Sequence, residues 1–105
     1  MINNEQLITT SLDSEIVNEL FPEFLKELSL ESDKLLESFN LNDLVKVKEI
    51  AHKIIGVTQT FGAHHVKRNA NNIIVIIDKN NGISLIEEIE DLRIGIRELK
   101  KVNDE

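Results

Sequence analysis

The chain has no cysteine, one proline and four glycines in 105 residues. Without a thiol it has no disulfide framework, no thiolate zinc site and no cysteine nucleophile. So little proline and glycine, beside 41% hydrophobic and 30% charged residues, argues against a disordered or low-complexity chain and for packed globular structure. Long apolar runs are missing as well. The longest, Ile73 to Ile77, is far short of the roughly 20 residues that span a bilayer. The opening Met1-Ile2-Asn3-Asn4-Glu5 places no positive region ahead of an apolar stretch, so no export signal is read. The expectation is a soluble, cytoplasmic protein without a membrane partner. A basic balance is also lacking: the net charge of -7 repels a nucleic-acid backbone and argues against nucleic acid as a partner.

What is present is one domain's worth of amphipathic helix, residues 1–105, with residues 1–10 expected to be a loose arm. Leu12, Ile16, Val17, Leu20 and Phe21 recur at helical spacing behind Ser11 and Asp13, either of which suits a cap. This predicts a short first helix that stops before Pro22. Pro22 fits the first turn of a second helix, whose stripe of Phe24, Leu25, Leu28, Leu35, Leu36 and Phe39 reaches about residue 39. A third helix is expected after an Asn42 cap, through Leu44, Val47, Ile50, Ala51, Ile54, Thr58 and Phe61, with Gly62 in the left-handed position beyond its end.

The fourth helix covers Ala63 to Lys79, with Val66, Ala70, Ile73 and Ile77 on one face, and stops at Asn80-Asn81-Gly82. The last begins at Ser84, with Glu87 placed as in a capping box, and carries Leu85, Ile86, Ile89, Leu92, Ile96 and Leu99. Helices of this length joined by short loops predict an all-α protein, an up-down four-helix bundle with a short additional N-terminal helix. Such a bundle buries its stripes internally and is expected to be a monomer.

The charge is unevenly placed. Between Asp43 and Arg68, Lys46, Lys48, Lys53, Lys67 and Arg68 stand against Asp43 and Glu49, five cations to two carboxylates. An anion is favoured there. In the same region Ala51-His52-Lys53-Ile54-Ile55-Gly56-Val57-Thr58-Gln59-Thr60-Phe61-Gly62-Ala63 projects Lys48, Ile55, Gly56 and Gln59 on the side of His52, with Val47, Ala51, Ile54, Thr58 and Phe61 facing inward. His52 is therefore expected on a solvent-facing edge. Mid-helix glycine costs roughly 0.5–1 kcal/mol relative to alanine, and room for another backbone to approach the imidazole is one gain that offsets it.

His-x-hydrophobic-x-Gly followed by a Phe-Gly-Ala break resembles the signature of histidine phosphotransfer domains. Leu12-Asp13, Pro22 and Asn42-Asp43 fall where that family places its preceding elements, so the likeness covers nearly the whole chain. Lys48-Glu49-Ile50-Ala51-His52 with Thr60-Phe61-Gly62-Ala63 is also similar to the small monomeric phosphotransferases of Vibrio quorum-sensing relays. The resemblance implies that His52 accepts a phosphoryl group from a receiver-domain aspartate and returns it to another. Response-regulator receivers or a hybrid sensor histidine kinase would be its partners. No resident cofactor is implied, since magnesium would come with the receiver. Lys48, Gly56 and Gln59 are the expected supporting residues.

The family usually carries lysine three residues after the histidine, where this chain has Ile55. Lys48, or Lys67 and Arg68 from the next helix, are the cations left to offset phosphoryl charge. That departure keeps a second function open, a degenerate bundle that docks a kinase or receiver without being phosphorylated. His64 and His65, about 100° apart on a helix, are poorly placed to chelate one metal and are read as surface residues. Asn69, Asn71 and Asn72 are read as solvent-facing.

Overall fold

The computed structural model describes residues 14–59, 61–80 and 84–104, without the side chains of residues 14, 16–18 and 102–104. The arm at 1–10, the cap candidates Ser11 and Asp13, Leu12 and the Asn81-Gly82 turn lie outside the described residues. Within them the chain forms four helices and no strand: α1 Ser14–Asn40, α2 Leu44–Thr58, α3 His64–Asp78 and α4 Leu85–Asp104. Each helix packs on the next in sequence, and α1 also packs on α4.

The helix break expected before Pro22 does not occur; α1 runs through it. An interior proline costs about 3 kcal/mol because it removes a backbone donor and crowds the preceding turn. The residues around it supply the offset. Phe21, Phe24 and Leu25 are all buried, and the Phe24 and Phe21 rings lie 4.5 and 5.6 Å from that of Phe61, in the turn that joins α2 to α3. Burying two phenylalanines is worth about 1.5–3 kcal/mol each, and both reach Phe61 only if helical register is kept across Pro22.

The cap of α2 also differs from expectation by one residue. Asn42 adopts φ 63°, so it serves the turn, and Asp43 is the cap, its carboxylate accepting from the Lys46 amide at 3.1 Å. An anion at this end also complements the helix dipole. Gly62 takes the left-handed conformation expected of it, φ 59°, with its amide donating to the Thr58 carbonyl at 2.8 Å. Asn80, at φ 56°, does the same after α3, a role asparagine tolerates better than most residues.

The helical stripes converge on one cluster. Leu28, Leu35, Val47, Ile54, Ile73, Ile89 and Leu92 are fully enclosed. Leu36, Phe39, Leu44 and Ile77 pack at its margin. Leu20, expected in the core, is instead 45% exposed, because α1 turns it toward the groove beside α2. Thr58, inside the apolar stripe, is fully buried and satisfied by donating its hydroxyl to the Ile55 carbonyl at 2.8 Å.

Candidate functional site

His52 stands on the outer face of α2. Val47, Ile50, Ala51, Ile54 and Thr58 all point into the core, and a side chain one position from Ala51 must then face away. His52 is exposed, as are Lys53, Gly56 and Gln59. A Cβ built on Gly56 would meet nothing within 4 Å, so this glycine answers no packing demand inside the molecule. Gln59 closes the helix, its amide donating to the Gly56 carbonyl at 3.4 Å.

Beside this surface runs an open groove between α1 and α2. Gly56, Val57 and Phe61 line it from one side, and Phe24 and the exposed Leu20 and Leu30 from the other. Lys26 and Lys53 stand at its margin with Glu23 and Glu27. Lys53 also reaches Glu31, with Nζ 3.2 Å from its carboxylate, and Lys34 approaches the same oxygen at 3.6 Å. Glu31 is only 3% exposed, and the two ammonium groups supply the opposite charge such burial demands. The sequence did not single it out. The available signal was a carboxylate three residues after Leu28 on the stripe that buries Phe21, Phe24, Leu28 and Leu35.

The supporting cations are arranged less simply than the spacing suggests. Lys48 does not stand free: its Nζ lies 2.6 Å from Asp78 Oδ1 at the end of α3. Ile55 is half-buried and packs against the core, so its side chain adds apolar contact and no charge to this face. On α3, Lys67 is half-buried and Arg68 exposed.

Three surface assignments are overturned. His65 is half-buried, its ring edge against Gly95 of α4, where an added Cβ would come within 2.8 Å of its Cδ2. Gly95 is thus the small residue that lets the ring fit between α3 and α4. His64 remains exposed. Asn69 is 4% exposed, and its amide donates to Glu88 at 3.0 Å and Asp91 at 3.3 Å. Asn72 is half-buried and reaches Glu88 at 3.5 Å; Asn71 alone of the three is exposed. The α3/α4 seam is therefore polar and packed, which explains these residues without a ligand.

Chemically, the α2 surface offers an accessible imidazole, an open approach at Gly56 and an apolar groove with charged margins. No group of three or more metal-binding side chains occurs among the described residues, and no helix there is long and apolar enough to cross a membrane. No family model matches the chain, and no curated protein and no solved structure matches it.

Proposed function

We propose that the chain is a phosphorelay protein of the histidine phosphotransfer kind, with His52 as the phosphoacceptor. A ring nitrogen of His52 attacks the phosphorus of a receiver aspartyl phosphate. The N–P bond forms as the acyl O–P bond breaks, and the leaving electron pair returns to the aspartate carboxylate. The reverse step delivers the group to a second receiver. Such a transfer demands mainly positioning and charge stabilisation, with magnesium on the receiver, so an accessible nucleophile and a docking surface suffice on this side.

The observation that carries the reading is the exposed His52 beside the unfilled space at Gly56, with the α1/α2 groove alongside. Receiver docking there would bury Leu20 and Leu30, which are about half exposed. The up-and-down order belongs to the same reading. It is supported by Lys48, near the start of α2, meeting Asp78, the last residue of α3. So do a monomeric state and a cytoplasmic setting, where response regulators are found.

The test is labelling from a phosphorylated receiver. One acid-labile, base-stable site is expected, lost in His52→Gln and retained in His64→Ala. Label that persists in His52→Gln would overturn the assignment. The second reading, an adaptor that docks a receiver or kinase without accepting phosphate, draws on the half-buried Ile55 and on the pairing of Lys48 with Asp78. Both reduce the free positive charge near His52. Receiver binding without any label would favour it.

A further inference from the structure

The α1 bank of the groove beside His52 carries an unbalanced row of charge. Glu19, Glu23 and Glu27 follow one another at spacings of four, so each stands one turn from the next, an arrangement of like charges that weakens a helix. All three are exposed, and none makes an ion pair among the described residues. Lys26, the one cation in this stretch, pairs with none of them. Across the groove Lys53 is drawn to the buried Glu31, its Nζ 3.2 Å from that carboxylate. No ion pair inside the molecule answers the row.

The apolar part of the same bank is also uncovered. Leu20 and Leu30 are 45% and 53% exposed, and ten residues of α1 separate them by about 15 Å, nearly three helical turns. The groove along them holds about 770 Å³, and the missing Cβ of Gly56 keeps its α2 wall clear. On the far side of α2 the sign of the charge is reversed. Lys67 lies eleven residues before Asp78, three turns of α3, and so on the side of that helix that meets Lys48 of α2. Arg68 follows it, exposed, and neither has a carboxylate partner among the described residues. A protein that settles on His52 thus meets carboxylates toward α1 and cations toward α3.

We infer that the partner at His52 docks through a basic amphipathic segment. Its apolar side chains, one helical turn apart, enter the α1/α2 groove over Leu20 and Leu30, and lysine or arginine beside them faces Glu23 and Glu27. Its anionic side, with the phosphoryl group, lies toward Lys67 and Arg68. Opposite charge on the two flanks selects one orientation, because the reversed one sets like charges together on both sides of His52. The inference rests on the proposed docking of a receiver at this surface, and adds the chemistry of the surface that docks.

The probes are alanine-based helical peptides of about 15 residues, none carrying phosphate. The first has leucines at spacings of three and four with lysines beside them. The second exchanges the lysines for glutamates, and the third keeps the lysines and replaces the leucines with alanine. Titrated into the full chain at fixed salt and followed by nitrogen–proton NMR, the first should give saturable shifts at Leu20, Glu23, Glu27, Leu30 and Gly56. The second should give none, and the third only shifts that do not saturate. Glu23→Gln with Glu27→Gln should weaken the first peptide about fivefold, the loss expected of two solvent-exposed charge contacts. Glu87→Gln with Glu90→Gln, which removes the same charge from exposed positions of α4, should leave its affinity unchanged. Equal binding of the lysine and glutamate peptides, equal losses from the two variant pairs, or shifts centred away from the groove would overturn the inference. Groove shifts that grow with protein concentration alone would overturn it too, and assign the groove to a second copy. Labelling of His52 is read separately. Peptide binding without label removes phosphotransfer and keeps the docking surface; label without peptide binding keeps phosphotransfer and removes the basic segment.

Discussion

Two seams of the bundle each contain a histidine and a helical glycine, used in opposite ways. At the α1/α2 surface, Gly56 follows His52 by one turn, and the space its missing Cβ leaves is empty. At the α3/α4 seam, the space left by Gly95 is filled by the His65 ring, 2.8 Å from where a Cβ would sit, with Val66 at 3.3 Å. Both glycines carry the same helix penalty of up to about 1 kcal/mol. Only at Gly95 does packing within the molecule explain it. At Gly56 the offset has to come from outside, which is why the α1/α2 surface is the functional candidate and the α3/α4 seam is not.

The sharpest separation is expected between the two histidines. His52→Gln should remove all label from a phosphorylated receiver while leaving the melting temperature within the small range of surface changes. His65→Ala should keep the label and lower stability by about 1–2 kcal/mol, since it empties the space that Gly95 provides. Chemical denaturation and labelling of the same two samples decide the matter. If both variants lose stability and label together, the two seams are not independent.

Gly95→Ala comes next. Helix propensity alone would stabilise it by about 1 kcal/mol, but overpacking against an imidazole and Val66 costs typically 1–3 kcal/mol, so a net loss of about 1 kcal/mol is expected. In a His65→Ala background the 2.8 Å clash disappears, the 3.3 Å approach to Val66 alone remains, and the same change should turn from destabilising to mildly stabilising. That reversal, read as a coupling energy in a double-mutant cycle, would tie the effect to this contact. Gly56→Ala has no clash to offset and should raise stability by about 0.5–1 kcal/mol while slowing phosphoryl transfer. A stabilised variant with an unchanged labelling rate would remove the reason for placing a docking partner at Gly56.

The contrast between the seams also shows what was legible in the sequence. The faces of α2 were, because a period of 3.6 settles which residues flank Ala51 and Ile54, and His52 follows from that alone. The open character of Gly56 was legible on the same ground. What depends on a partner helix was not. Nothing local in His65 or Asn69 reveals that Gly95, Glu88 and Asp91 will lie across from them, between 19 and 30 residues away along the chain. The continuity of α1 through Pro22 was hidden for the same reason, since Phe61 is distant in sequence. The cap at Asp43 turned on something smaller: whether Asn42 or its neighbour would take the left-handed turn, a choice both residue types allow.

The smallest effect concerns Lys48, where the two kinds of seam meet, because this cation serves α3 through Asp78 and lies one turn from His52. Lys48 and Asp78 are 37% and 52% exposed in their side chains, so the pair is worth at most about 0.5 kcal/mol to the fold and weakens with salt. Its relevance to transfer has a definite sign. Charge building on the transferring phosphoryl is offset by a nearby cation, and a carboxylate 2.6 Å from that cation cancels much of its field. Lys48→Ala should therefore slow labelling of His52, and Asp78→Asn, which frees the ammonium, should speed it, each by a factor of about two to five, the scale of an interaction of 1 kcal/mol or less. Ile55→Lys should partly rescue Lys48→Ala by restoring charge one turn away. Quench-flow rates at low and high salt measure all three. Opposite signs for Lys48→Ala and Asp78→Asn are expected. If both slow transfer equally, Asp78 positions Lys48 rather than neutralising it; if neither changes the rate, the pair belongs to the α2/α3 seam alone.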